Sequence, residues 1–552
     1  MKRRQFLRTL LAGPGLPYLS QCQPAASRAI PGAIVNAGIP GHLLRQPRQA
    51  GDFPPASGPI LDALIIGGGV SGLCAAWRLR RAGVENLLLL EVGDQLGGTA
   101  LAGTLQGRPV AWGAHYINIP PAEADCVHTL LQDLGVITGY DAAGRPQVVP
   151  EYLLRWPHER LFIEGQWTED LDPGAGAGAG EVEVLRQFED DMLRWTLYQG
   201  RDGRRAFALP LRYSSRDSVL RELDQLTMLQ YLRGKNWNSP RLDWLVDYAC
   251  RDDYGTSLAQ VSAWAGIHYH ACRYYDRRLH DQYPADTLTW PEGNGFLVRR
   301  LAAKLASAQW RSQVAVLRVE PSGDEVRAGC IDTRTGECFS LRAKSAVYAG
   351  KLHTLPSVVQ GLPGPQLQAL GALSYCAWLV AAVQVSRLPQ SRGAPPAWDN
   401  VLYGSSSLGY VAADHQQQGA LGQGNRVLLY HLPLVRQVAQ ARRQLLERDH
   451  AFWAGQVMAD LRQAHPDIEE VVERIDLYRW GHAMVQPLPG VIWGEGSRLR
   501  DQACGALSLA SCDTTGLPLF EEACFAGIRA AEQCLARLGK GDETLLKGLG
   551  DG

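Results

Sequence analysis

The sequence predicts an α/β fold joined to an α+β part: a Rossmann-type parallel-sheet domain assembled from three separated stretches, interrupted by an inserted domain of mixed sheet and helices. Three observations carry this. Residues 61–91 read as strand, glycine turn, helix and strand, closed by a carboxylate. Residues 507–531 read as a second strand followed by a helix of small residues. The stretch between them mixes strand-like and helix-like runs without a detectable repeat. At 552 residues the chain is long enough for two or more domains.

The chain opens with Lys2-Arg3-Arg4-Gln5-Phe6-Leu7, a twin-arginine export pattern, then a modestly apolar stretch to Leu19. Residues 1–27 are therefore expected to be a signal peptide read by the twin-arginine (Tat) export machinery, with a periplasmic or extracytoplasmic destination. That route carries folded proteins, so an exported chain can keep unpaired cysteines. Leu19-Ser20-Gln21-Cys22 loosely resembles a lipoprotein cleavage box, which leaves a lipid anchor at Cys22 as an alternative, although Gln21 is large for the position before the cysteine. Residues 28–58, rich in Pro, Gly and Ala, read as a flexible tether.

Residues 61–66 form a nearly continuous apolar run, as a parallel strand buried on both faces requires. Gly67, Gly69 and Gly72 then give GxGxxG. The first glycine permits the tight turn, the second lets a pyrophosphate approach the backbone, and the third lets helix and strand pack closely. Val70 and Ser71 open the helix, whose unpaired N–H groups and positive dipole end face that phosphate. Residues 87–90 are the second strand, and Glu91 closes it, placed to accept from a ribose diol. A dinucleotide site is the expectation. Gly97-Gly98-Thr99 and the strand-turn containing Gly113, Ala114, His115 and Tyr116 follow.

An acid closing the second strand and a Gly-Gly pair soon after it resemble the FAD motif of the flavin-containing amine oxidase and phytoene desaturase superfamily. Residues 508–531, SLASCDTTGLPLFEEACFAGIRAA, resemble the closing FAD motif of that family. The resemblance implies a GR2-like FAD-binding domain, with Asp513 near the ribityl and pyrophosphate, and Glu522 and Ala523 at a helix N-terminus under the flavin. The strand-turn at residues 110–117 would pass the isoalloxazine. Two positions depart from the family pattern: Thr99 stands where arginine is usual, and Cys512 where glycine is usual. Weaker matches lie at residues 289–296, a Pro-x-Gly-x-Gly-type turn, and at residues 478–490, the segment entering the last motif. Residues 314–319, 326–331 and 346–349 read as strands of a small sheet covering the cofactor, with Val314 against it.

These matches divide the chain into FAD-binding parts at residues 59–127, 286–355 and 475–540, substrate-domain parts at 128–285 and 356–474, and a tail at 541–552. Residues 174–180 alternate Gly and Ala and read as a loop. After them Val184, Leu185, Phe188, Met192, Leu193 and Trp195 are placed on one helical face. Further helices are expected near residues 226–232, 242–249 and 261–270, and strands at 375–385 and 427–432.

Net charge is −1, which favours neither nucleic acid nor an anionic membrane. The 12 cysteines include no CxxC and no Cys/His cluster at metal-ligand spacing, so no metal site is expected. Cys330 and Cys338 flank a hairpin turn and could pair; the favoured reading is two isolated thiols. No run is long and apolar enough to span a bilayer.

The resemblance implies hydride transfer from an amine α-carbon to flavin N5, imine hydrolysis, and reoxidation by oxygen, in a dry pocket with aromatic walls. Trp480, Trp493, Tyr116 and Trp290 are the candidate walls, and His482 and His115 the nearest titratable groups; packing aromatics and structural histidines are the competing readings. Lys351 is left without a role. Polyamine substrates would want carboxylates at a tunnel mouth, for which the acid pairs Asp252-Asp253 and Glu521-Glu522 are available; the favoured reading of both is solvated surface or helix N-terminal charge. Some relatives tether the flavin through a cysteine, but none lies between Trp480 and Trp493, so noncovalent FAD is expected. Two alternatives stay open: a desaturase or isomerase acting on an apolar substrate, and a non-catalytic flavin-binding protein.

Overall fold

The computed structural model describes residues 30–36, 38, 40–46, 48–273, 286–417, 426–435, 437–541 and 543–546. The expected signal peptide, with Cys22, lies outside the described residues, as do residues 28, 29, 542 and 547–552.

The first sheet is built on the predicted strand Leu61–Ile66. Its parallel neighbours are Leu87–Leu90 on one side and the second half of Cys338–Tyr348 on the other, with Trp310–Arg311 and Leu507–Leu509 continuing the sheet outward. All four residues of Leu87–Leu90 are buried, as a strand covered on both faces requires. Helices Val70–Arg81 and Phe520–Arg537 pack together on one face. The small residues of the second helix permit this: a Cβ on Gly527 would stand 2.2 Å from the Ser71 carbonyl oxygen.

The expected separate sheet over the cofactor is corrected. Val314–Pro321, Val326–Asp332 and the first half of Cys338–Tyr348 form an antiparallel meander, but the 11-residue third strand runs on into the parallel sheet. One strand therefore serves both, and the meander is an extension of the first sheet. Cys330 and Cys338 are free thiols.

The second sheet runs, in spatial order, Val472–Trp480, Ala377–Val385, Arg426–Leu434, Tyr410–Ala412, Asp399–Leu402, Glu159–Ile163 and Gln166–Glu169. The expected boundary at residue 475 falls inside its first strand, because the apolar alternation of that strand serves the second sheet. Likewise the helix Asp125–Asp133 buries Val127, Leu130 and Leu131 in the core of the first sheet, past the expected boundary at 128. Five helices between Ala179 and Ala271 make a helical lobe. In its first helix Leu185, Phe188, Met192 and Trp195 are buried, but Leu193 is exposed. Leu193 sits one residue, about 100°, off the stripe set by the other four.

The expected tether is docked. Leu477 N–H donates to the Ala33 carbonyl (2.8 Å), Val35 N–H to the Leu477 carbonyl (2.9 Å), and Ile475 N–H to the Pro31 carbonyl (2.9 Å). Residues 31–35 thus cover the edge strand Val472–Trp480, an edge that would otherwise present unpaired backbone groups. Asn36 closes the attachment: its amide donates to the Arg479 carbonyl (2.8 Å) and accepts from Arg479 N–H (3.0 Å). Asn36→Ala is expected to cost about 1–2 kcal/mol, read by denaturant unfolding, because it leaves two backbone groups without partners. The tail is partly docked too, with Leu545 buried in the first core.

Candidate active site

The two glycine-rich loops meet backbone to backbone. Gly97 and Gly98 have positive φ (136° and 55°), and a Cβ on Gly98 would lie 3.1 Å from the Gly69 Cα. Gly69 caps the helix Val70–Arg81 in extended conformation, and the only heavy atom near its own Cβ position is the Gly98 Cα at 3.7 Å. The space in front of that helix N-terminus is therefore open to a phosphate. Gly72 and Gly97 do not face this space. Gly72 provides the close helix–strand contact, since a Cβ there would stand 1.9 Å from the Gly67 carbonyl oxygen.

Glu91 is held by two backbone donors, Gly68 N–H and Gly93 N–H, both at 2.7 Å. Burial pushes its carboxyl up, against the pull of those N–H groups. The pinned carboxylate keeps lone pairs for a diol. Trp112, Gly113 and Ala114 run beside the Gly-Gly loop, with Ala114 N–H donating to the Thr99 carbonyl (2.9 Å). The turn at Gly293 docks beneath, and Asn294 donates to the carbonyls of Ala114 and Tyr116. These residues fit a flavin dinucleotide: glycine backbone for its phosphates, Glu91 for a ribose, and Val314 with Val316 along the neighbouring wall.

A cavity of about 630 Å³ runs from this cradle to the second sheet. Of the candidate residues, Gly67, Gly69, Val70, Ser71, Glu91, Gly98, Thr99, Gly113, Ala114, His115, Tyr116, Val314, Trp480, His482 and Ala523 lie on its wall. The Trp480 indole N–H donates to the Trp112 carbonyl at 2.6 Å, which fixes the ring. His482 stacks on His353, ring centres 4.0 Å apart. Burial, then His353 and the cations Arg442, Arg45 and Lys351, push its pKa down to about 2.

Besides Gly72 and Gly97, four candidates are elsewhere. Trp493 packs edge-on against Trp264 in the helical lobe, and Trp290 stacks on Phe296 at 4.8 Å in the first core. Asp513 is fully buried behind the wall: one oxygen accepts from Leu352 N–H and the Tyr375 hydroxyl (both 2.9 Å), and the other lies 3.7 Å from Lys351 Nζ. Its neighbours Ser511 and Cys512 line the cavity instead. Glu522 accepts from Leu211 N–H, and it is Glu521 that reaches the wall. The helix turns by about 100° per residue, so only one of two adjacent acids can face the cavity.

Sequence reasoning missed more. Lys351 lines the cavity and donates to the Ala483 carbonyl (3.1 Å). Asn36, His42 and Arg45 come to the wall from the docked N-terminal segment, and Arg442 joins them. The pairs read as solvated acids are not on the outer surface: Asp253, Glu521 and Glu522 are buried, and Asp252, Asp253 and Glu521 line the cavity. The signal was available in Tyr248, Cys250 and Tyr254, which flank Asp252-Asp253 with residues of a buried helix.

The second sheet adds Asp399, His431 and Trp378. His115 and His431 stack at 4.8 Å. Burial holds His115 at about 4 and His431 well below its usual value, so both are neutral at pH 7. Burial raises the carboxyls: Glu159 to about 7, Asp252 upward with Asp253 adding to it, and Asp399 well above the ordinary range, helped by Asp252 and Glu159.

The pH dependence of stability follows. The folded protein keeps these carboxyl protons up to about pH 7, whereas the unfolded chain releases them near pH 4. The folded state therefore binds more protons in that window, and stability falls as pH rises through it. Buried neutral histidines act oppositely until the unfolded chain has released its histidine protons, at about pH 7.5. Between about pH 7.5 and 8.5 the raised carboxyls dominate. Melting temperature is expected to fall over that interval, and less steeply in Asp399→Asn.

The model of one family, described as flavin containing amine oxidoreductase, matches residues 70–535. No curated protein matches the chain. Among solved structures, wild-type putrescine oxidase bound to putrescine aligns with TM-score 0.64 at 16% identity, over 87% of this chain and 99% of that one. Cyclohexylamine oxidase from Brevibacterium oxydans IH-35A aligns with TM-score 0.62 at 16% identity, over 87% of this chain and 100% of that one. At such identities the likeness is one of fold.

Proposed function

The chain belongs to the family of flavin-containing amine oxidoreductases, and from that premise we propose that it is an exported, FAD-dependent amine oxidase with noncovalently bound cofactor. The observation that carries this reading is the single cavity that joins the glycine cradle to a chamber walled by Tyr116, Trp378, Trp480, His115, His431 and carboxyls. Bound FAD would supply hydride acceptance from the substrate α-carbon and reoxidation by oxygen, with peroxide formed.

The chain's own residues supply the rest. Among the described residues His431 Nε2 has no hydrogen-bond partner, and burial holds its imidazole neutral, so it can accept a hydrogen bond from an incoming amine. The indole of Trp480, pinned through its N–H, and the ring of Tyr116, pinned through its hydroxyl to Asp252 (3.2 Å), give fixed walls to orient the substrate. His431→Gln is expected to lower kcat/KM about tenfold through loss of that acceptor; an unchanged kcat/KM would remove His431 from this role.

The cavity thiols Cys272 and Cys512 support noncovalent binding: burial pushes both up to about 12, with Asp513 adding to it at Cys512, so they are protonated, poor nucleophiles. Acid precipitation is expected to leave all flavin in the supernatant. A wall bearing carboxyls and imidazoles disfavours a hydrocarbon substrate, which would strip these groups of water without replacing it. Export is supported by the twin-arginine pattern at residues 2–7.

A further inference from the structure

Residues 31–54 lie ahead of the family-matched part of the chain and cross from one sheet to the other. Their first part runs along the edge strand Val472–Trp480, where Asn36 closes the attachment. Their last part is fixed to the antiparallel meander of the first sheet. Arg318 Nη1 donates to the Arg48 carbonyl (2.7 Å), Ser340 Oγ donates to the Pro54 carbonyl (2.6 Å), and the Phe53 ring fills the space that a side chain at Gly329 would need. Between these anchors the 3₁₀ turn Pro40–Arg45 sets Leu44 against the cluster that holds Val314 and Val316, the wall beside the glycine cradle. Asn36, His42, Leu44 and Arg45 line the cavity there. The segment is a strap tied to both sheets, and it spans the cleft that fits a dinucleotide.

The strap also brings charge that the cradle lacks. Residues 67–72 and 97–100 contain no lysine or arginine, so the glycine loops offer a diphosphate only backbone N–H groups and a helix dipole. Of the cations on the cavity wall, Arg273 is paired with Asp253, and Lys351 stands 3.7 Å from Asp513. Arg442 donates to the Gly481 carbonyl (2.7 Å) and Arg479 to the Leu446 carbonyl (3.1 Å), both neutral acceptors. Arg45 makes no hydrogen bond or ion pair among the described residues. What it faces is positive: burial, and then Arg45, push the guanidinium of Arg442 and the imidazole of His42 down from their ordinary values. At this end of the cavity the wall carboxyl is Glu91, already held by Gly68 and Gly93, while Asp252, Asp253, Asp399 and Glu521 stand in the chamber. Converging cations without a counter-charge call for an anion, and a guanidinium matches the oxygens of a phosphate.

We propose that Arg45, carried on this strap, binds the phosphates of the dinucleotide, and that residues 36–45 close the cofactor cleft over it. This rests on the FAD reading and not on which substrate is oxidised. Bound phosphate would neutralise the charge that Arg45 and Arg442 place together. The strap, tied to both sheets, must detach from one of them before the cofactor can leave.

The test titrates FAD into the full-length apoprotein by flavin fluorescence, and follows FAD release from the holoprotein on dilution, each at low and at high salt. Arg45 is exposed, so Arg45→Gln is expected to keep the fold. Its FAD affinity is expected to fall about fivefold at low salt, the scale of one solvent-exposed charge pair. The loss should be smaller at high salt, and Arg45→Lys should recover part of it. Asn36→Ala, which loosens the strap from the second sheet, is expected to speed FAD release severalfold at either salt. Unchanged FAD affinity in Arg45→Gln, or a loss of equal size at both salts, overturns the phosphate contact. Unchanged release in Asn36→Ala overturns the closure. Wild-type protein that neither carries FAD as purified nor binds it overturns the FAD reading, and the role of the strap with it. Should FAD not come off to give apoprotein, the release rates of the variants decide.

Discussion

Replacing Gly72 by valine is expected to give a protein that purifies colourless and melts at a much lower temperature. The Cβ position lies 1.9 Å from the Gly67 carbonyl oxygen and 3.2 Å from the Ala349 Cβ. Both are fixed by the central strands, so the helix must move off the sheet. Overpacking against backbone costs about 3 kcal/mol or more. The displaced helix also withdraws the N–H groups that would meet the phosphates. Gly69→Ala makes the contrast: its methyl would meet nothing closer than 3.7 Å, so stability is expected to hold. The methyl would occupy the space meant for pyrophosphate, and flavin content should fall. Measuring flavin absorbance and melting temperature on both variants separates cradle geometry from fold. Equal behaviour of the two would mean that the glycines serve only packing.

Asp513→Ala is the second large effect. The carboxylate is fully buried, accepts from Leu352 N–H and Tyr375 hydroxyl, and stands 3.7 Å from Lys351 Nζ. Removing it leaves two buried donors unpaired and a lysine without its counter-ion, a loss of about 3–5 kcal/mol. Denaturant unfolding is the measurement. Asp513→Asn keeps an acceptor oxygen and should recover part of the loss. The residue joins the loop after Tyr348 to the segment entering the second sheet, so its stability role reaches across the domain boundary. A change below about 1 kcal/mol would show that Asp513 holds neither element.

The cradle was legible because its determinants are local. GxGxxG, the strand before it and Glu91 lie within one short segment, and Gly72 answers a contact with Gly67 inside it. The closing helix was legible for the same reason: its small residues fall at the spacing that lets it touch Ser71 and Cys74. Asp513 and Glu522 show the limit of a motif. It fixed their place at the end of a strand and the start of a helix, but not which way each side chain points. The carboxyls of the chamber were legible only in part: Asp252-Asp253 stood out as an acid pair, but nothing local set it beside Asp399 and Glu159. Asp399 and Glu159 lie 240 residues apart and meet only through strand register, while polarity alone reads as surface. The docked N-terminal segment misled for a related reason. Its Pro, Gly and Ala content permits flexibility, and what holds it is an edge strand more than four hundred residues away.

The central claim is that amines are oxidised in this cavity. The purified yellow protein should be mixed without oxygen with mono-, di- and polyamines and amino acids while the flavin absorbance is followed. The account predicts bleaching by one class of amine, reversed by air with peroxide formed. A flavin that no amine reduces would contradict it.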